Sequence, residues 1–383
     1  MSELYGRLMP LYLGYAVFVM FQVPVGVAQI LQTILICRFI IEFFGTSALA
    51  VVGGAFVDIL GPVDRAMAVC LYAAATFVGP IFGPIIGGFL VESHLGWRWT
   101  AWITMIASAF FGVIAFFITP ETYHPVLLQR RAARFRKENN NPAYYSPLDK
   151  SAPTFRDILT KYLCRPFQML AMEPILVCFT IYISLIYGIL YLFFTAYPIS
   201  FAEHRHWQAV GVAALPFLGV IVGIFLGGIF ITITTKTYHA RKLRGGTVRP
   251  EVCLPPMMPM AVLFPASLFW FGWTANPSVP WPAQVVAGVP IGAGILVIWL
   301  QGLNYLIDVY LMFANSALSA NTLIRSTVGG AFPLFATYMY DTLGVAWATS
   351  LLGFLSIAMI PIPFVFYFYG PRIRSLSRYT PKL

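Results

Sequence analysis

Apolar runs of about 20 residues recur along the chain between short polar breaks, and none shows the alternation of a barrel strand. A hydrocarbon core about 30 Å thick is crossed by about 20 helical residues, so the pattern predicts ten spanning helices. They are expected at Leu8 to Ala28, Ile30 to Gly53, Ala66 to Val91, Trp99 to Thr119, Met172 to Ser200, Ala209 to Thr235, Leu254 to Thr274, Ala283 to Asn304, Met312 to Tyr340 and Gly344 to Tyr369. Lipid offers no partner to a backbone polar group, which makes the helix the expected spanning form. The fold class is an all-α polytopic membrane bundle. Its longest polar stretch separates four spans in residues 1–119 from six in residues 169–383, with a loop over 120–168.

Composition agrees and narrows the class. Of 383 residues 59% are hydrophobic and 10% charged, against roughly 45–50% and about 25% in soluble domains. The formal charge of +10 sits in loops between apolar stretches, so it reports topology and argues against a nucleic-acid module. Of the 24 Lys and Arg, twenty fall on one side of the ten spans, only Arg98 and Arg205 fall on the other, and Arg38 and Arg325 lie within spans. By the positive-inside rule both termini and the central loop are cytosolic. The five cysteines are widely spaced without a C-x-x-C pair and read as reduced core residues. The first apolar run is too long for a cleavable signal core of about 7–15 residues. Leu127 to Lys137 (LLQRRAARFRK) reads as a basic helix, either resting on anionic headgroups or solvated as a linker.

The two halves differ in length. Two spans precede the basic loop TKTYHARKLRGG in the second half, whereas the first half opens directly on SELYGR. Aligned as repeats, the halves imply two further spans ahead of Met1.

Ionisable residues inside spans cost at least about 2.5–3.5 kcal/mol at the helix centre and are therefore functional candidates. Arg38 and Glu42 are four residues apart and close enough to pair, either as a proton-exchanging site or as a structural lock. Asn304 and Asp308 stand one turn apart, as do Asn321 and Arg325 in the next span, and the opposite charges suggest a contact between the two helices. Tyr187, Tyr191 and Phe194 form an aromatic stripe suited to a cavity for flat ligands or to packing. The run GPIFGPIIGG contains Gly79, Pro80, Gly83, Pro84, Gly87 and Gly88; glycines four apart allow close helix approach, and the prolines allow bending, so a hinge or seal is expected. No phosphate loop, hydrolase elbow or clustered histidines occur, so neither an enzyme, nor a cofactor, nor a metal site is expected.

These residues resemble the major facilitator superfamily, in particular the fungal twelve-span drug:proton antiporters that include multidrug and polyamine exporters. SELYGR resembles the tail of the family's signature loop, CRFIIEFFG its fourth-span arginine motif, GPIFGPIIGG its fifth-span antiporter motif, and NYLIDVYLMFANSALSANTLIRS its eleventh-span region. The resemblance implies a major facilitator fold lacking two spans of its N-terminal half, with alternating access about a central site driven by protons. It implies that Glu3, Arg7 and Asp58 belong to a cytoplasmic charge network, to which the neighbouring Asp64 and Arg65 are added, and that Arg38 is the buried fourth-span arginine. Cys253 in PEVCLP stands where relatives commonly have arginine.

The expected function is proton-coupled efflux of small apolar or cationic compounds by a monomer in the plasma or vacuolar membrane. The expected partners are a small-molecule substrate, protons and the bilayer, without nucleic acid. A non-transporting remnant and a polyamine or other small-solute transporter are the alternatives.

Overall fold

The computed structural model describes residues 6–60, 62–139, 144–146, 164–239, 250–375 and 377–379, and side chains within these ranges except those at 49, 50, 53, 54, 57, 62–66, 238, 239 and 312. Glu3 and the side chains of Asp64 and Arg65 lie outside the described residues. The elements are α1 (Leu8–Val27), α2 (Leu31–Ile59), α3 (Pro62–Glu92), α4 (Arg98–Ile118), α5 (His124–Glu138), α6 (Arg165–Met172), α7 (Pro174–Pro198), α8 (Val210–Ala214), α9 (Phe217–Thr234), α10 (Met257–Trp273), α11 (Trp281–Tyr310), α12 (Ala314–Met359) and α13 (Pro361–Ser375).

Among the described residues, eight helical stretches are long and apolar enough to cross a membrane, and Met257–Trp273 is a shorter apolar helix. The last of the eight, Ala314–Ser375, contains two of the ten predicted spans. They meet at Gly344, where φ is 72° and ψ 162°. That backbone conformation is open to glycine and strained for any residue with a Cβ, so the chain turns there without a proline. The helices overrun several predicted ends. α2 continues to Ile59 and the final helix to Ser375, because apolar content marks the part in lipid whereas the backbone ladder continues until a residue breaks it.

The chain divides into two compact units, Met1–Val69 with Leu90–Thr154 and Cys70–Phe89 with Phe155–Leu383. In the first, α1 packs on α2 and α4 around Val25, Cys37, Ile41 and Ala101, with Phe18 and Phe21 beside them. Small residues set the approach: the Phe18 ring lies over Gly45 and Tyr15 lies against Gly112. Tyr15 also donates to the Ser108 carbonyl at 2.7 Å, Tyr12 to that of Ala115 at 2.8 Å, and Arg98 to that of Ala28 at 3.1 Å. The basic stretch does form a helix, α5, and the ring of Tyr144 packs 5.9 Å from Phe135 on it.

In the second unit α7 pairs with α12, α9 with α11, and α10 with both α11 and α12. The α9–α11 contact is a glycine seam. A Cβ at Gly219 or Gly223 would overlap the carbonyl oxygen of Val285 or Val289, and one at Gly292 that of Val220. Between apolar helices in lipid, where no hydrophobic drive remains, such backbone proximity supplies the attraction through dispersion. The middle of α3 adds a buried stripe of Cys70, Ala73, Ala74, Phe77, Ile81 and Ile85 to this unit, at the three- and four-residue spacing of one helix face.

Candidate functional site

The predicted aromatic stripe and the predicted span arginine come together. Arg325, on α12, places its guanidinium carbon 4.7 Å from the ring centre of Tyr187 on α7 and 5.4 Å from that of Trp299 on α11. Gly329, one turn along from Arg325, makes room for Tyr187: a Cβ there would stand 2.9 Å from the ring. The Tyr187 and Tyr191 hydroxyls are 3.2 Å apart, and the rings continue through Phe194, 5.6 Å from Tyr191, and Phe77, 5.0 Å from Trp299. Asn321, buried one turn before Arg325, donates to the Thr180 hydroxyl at 3.3 Å.

Electrostatically the cluster is incomplete. Two ring faces stabilise a cation by about 0.5–2 kcal/mol each, comparable to the lower range of about 2.5–3.5 kcal/mol for placing it mid-span. The rings supply no lone pair in the guanidinium plane, and both Arg325 Nε and Trp299 Nε1 are buried without an acceptor among the described residues. Arg325 forms no ion pair among the described residues. The sequence marked Arg325 and Tyr187 separately but missed Trp299, whose indole gave no signal within a uniformly apolar run.

Other expected partnerships are not formed. Asp308 does not meet Arg325; it accepts the Cys253 thiol at 3.2 Å. Arg325 stands eleven positions beyond the start of α12, and at about 1.5 Å per residue the helix carries it roughly 16 Å from the turn that Asp308 precedes. Asn304 bonds Gln301 at 3.5 Å. Arg38 and Glu42 lie on the exposed side of α2 and make no ion pair among the described residues, since Cys37 and Ile41 occupy its buried face.

The glycines of GPIFGPIIGG are unequally packed. A Cβ at Gly79, Gly83 or Gly87 would meet nothing within 4 Å; only Gly88 is crowded, against the backbone of Gly211. The buried stripe of α3 passes beside them, leaving Gly79, Pro80 and Gly83 exposed, Pro84 and Gly87 half-buried, and the close approach to the seam of α9 and α11.

In the first unit Arg7 pairs with Asp58 at 3.2 Å and lies 4.8 Å from the Tyr123 ring centre. Glu121, not singled out in the sequence, completes the group by accepting from the backbone N–H of Arg7, Leu8, Thr122 and Tyr123 at 2.9–3.2 Å. Burial acts to raise its pKa, but these four bonds outweigh it and hold the carboxyl below its usual range. A depressed folded-state value contributes stability above the unfolded pKa of about 4.3, and this is lost as pH falls through the folded value. The Arg7 and Leu8 amides are therefore expected to lose hydrogen-exchange protection below about pH 4. Glu121→Gln should remove that step, and its persistence would exclude Glu121 as the cause.

In the second unit the polar ends are tied by carboxylates and carbonyls. Glu251 pairs with Arg374 at 3.0 Å. Glu173 accepts from the Ser377 hydroxyl at 2.6 Å, the Arg378 N–H at 2.9 Å and the Tyr310 hydroxyl at 3.1 Å. Arg205 donates to the carbonyls of Thr274, Val279 and Asn276 and to the Gln284 side chain at 2.7–3.3 Å. Burial, then the Asp308 carboxylate, raises the Cys253 thiol well above its ordinary range, so the protonated thiol is the donor. A maleimide should label the exposed Cys164 and spare Cys253 in the folded protein, and equal labelling would contradict this burial.

The sequence profile described as Major Facilitator Superfamily matches residues 1–333. The chain is 68% identical over 382 residues to the citrinin biosynthesis cluster MFS transporter mrr1 of Monascus ruber, covering 100% of this chain and 77% of that protein. It is 61% identical over 384 residues to the ascochitine biosynthesis cluster MFS transporter of Didymella fabae, covering 100% and 74%. Among solved structures, the human organic anion transporter MFSD10 (TETRAN) superposes with a TM-score of 0.56 at 16% identity, over 94% of this chain and 78% of that one. At that identity the likeness concerns the fold alone.

Proposed function

Because the chain belongs to the Major Facilitator Superfamily, we propose that this membrane transporter exports a small secondary metabolite by alternating access, driven by the proton gradient. The observation that carries the reading is its identity along the whole chain with transporters of metabolite biosynthesis clusters. The aromatic cluster about Arg325 supports it, since flat apolar solutes are held by ring faces and oriented by few polar groups. In this reading Tyr187, Tyr191, Asn304, Asn321 and Arg325 line the substrate path, and the Glu42 carboxylate exchanges protons beside the permanently charged Arg38, both side chains being exposed. Both termini and the central loop face the cytosol, in the plasma membrane.

Proteoliposomes holding the full chain, given an imposed pH gradient and citrinin, test the proposal directly. Gradient-dependent flux is expected, and flux indifferent to the gradient would overturn proton coupling.

We propose further that the open glycines of α3 serve motion. Gly79→Ala meets no neighbour, so melting should hold or rise while transport falls several-fold; unchanged transport would exclude a hinge at that position.

A further inference from the structure

The geometry points to a subsite in the second unit for an organic anion carried on a flat aromatic frame, with its acidic oxygen on Arg325 and Trp299 and its ring against Tyr187. This narrows the transporter reading and rests on it for flux, though not for binding. The unmet polar atoms carry the argument. Arg325 Nε and the Trp299 indole nitrogen are both donors, both are buried without an acceptor among the described residues, and the two side chains adjoin, with the guanidinium carbon 5.4 Å from the indole ring centre. Buried donors are costly to leave unmade, and an oxyanion meeting a cationic and a neutral donor at once forms the strong, charge-assisted kind of hydrogen bond.

The described carboxylates of the unit are engaged or distant. Glu173 holds Tyr310 and the chain end, Glu251 holds Arg374, and Asp308 accepts from Cys253. Glu203 is exposed beyond the end of α7, and Asp341 lies sixteen positions along α12, roughly 24 Å from Arg325. No described carboxylate of the unit thus compensates the positive charge at mid-span, which repels a cation and favours an anion. An anionic ligand differs from the small apolar or cationic compounds expected from the sequence.

The aromatic surroundings select the rest of the ligand. Tyr187 and Trp299 are each half-buried, so part of each ring is available, and Tyr191 extends the surface with its ring centre 4.9 Å from that of Tyr187. Offset or edge contact with such faces suits a planar ring system better than an aliphatic chain.

The test compares 1-naphthoate with 1-naphthamide, the same shape without charge, and with 1-naphthylmethylammonium. Titration calorimetry on the full chain in nanodiscs is expected to show naphthoate binding at least about ten-fold tighter than the amide, and the ammonium weakest. Arg325→Gln should bind acid and amide alike, while Arg325→Lys keeps part of the preference because it keeps the charge and loses the planar fork. Equal binding of acid and amide to the unaltered protein, absence of saturable naphthoate binding, or a preference that survives Arg325→Gln would overturn the subsite. The first two comparisons need no variant, so a misfolded mutant does not protect the proposal. In proteoliposomes, Arg325-dependent naphthoate binding without gradient-driven flux would sink the transporter reading and leave the subsite standing. Gradient-driven flux with no preference for the acid would do the reverse.

Discussion

Gly223→Val is expected to destroy the packing of α9 on α11. The first carbon added at Gly223 would overlap the Val289 carbonyl oxygen, with the Val289 carbonyl carbon at 2.8 Å and the Ala293 amide nitrogen at 3.0 Å. Overpacking of a core commonly costs about 1–3 kcal/mol because neighbouring side chains change rotamer. Here the obstacle is backbone, which has no rotamer to change, and a valine carries two further methyls toward it. The helices must separate along a seam where Gly219, Gly227 and Gly292 are also in close contact. Since apolar helices in lipid are held by contact and not by escape from water, separation removes most of their attraction. We expect the detergent-solubilised variant to melt many degrees below the parent or to lose its monodisperse elution peak. Gly79→Ala should melt at or above the parent temperature, because an added methyl there meets open space. If the two variants melted alike, the seam would not be what joins these helices.

Glu173→Ala is expected to release the C-terminal segment. Glu173 is 1% exposed and gathers the Tyr310 hydroxyl from the end of α11 together with the Ser377 hydroxyl and Arg378 N–H from beyond α13. Removing the carboxylate strands these donors, each at about 1–3 kcal/mol when buried. The Tyr310 ring is fully buried and cannot turn its hydroxyl to water without unpacking. A loss on the order of 3 kcal/mol is therefore expected, partly relieved by the tail moving to solvent. Limited trypsin digestion should cut after Arg374 and Arg378 in the variant much faster than in the parent, in which Arg374 also remains tied to Glu251. Glu173→Gln, which keeps an acceptor of the same shape, should fall between them. A tail cleaved at the same rate in all three proteins would show that Glu173 does not hold it.

Much of this protein is readable one segment at a time. A run of about 20 apolar residues has few places to go other than a bilayer. Arg325 drew attention for the same reason, because a charge in an apolar run is conspicuous without reference to anything else in the chain. The glycines of α3 illustrate the limit. Their spacing allowed close packing as well as a hinge, but spacing does not say which face of a helix has a neighbour; of the run only Gly88 is crowded, and near contacts form also at glycines 219, 223 and 292, which share the same simple pattern.

By itself, then, the sequence determined the membrane class, the ten apolar segments and the few residues whose chemistry is out of place among them, since hydropathy, charge and helical period are properties of adjacent residues. The tertiary structure alone decided who meets whom. It put Trp299 beside Arg325, Cys253 beside Asp308, Glu121 over the start of α1 and the chain end on Glu173. Those pairings depend on the rotation and offset of helices distant in sequence, set by backbone approach and side-chain volume across the bundle, and no local pattern encodes them.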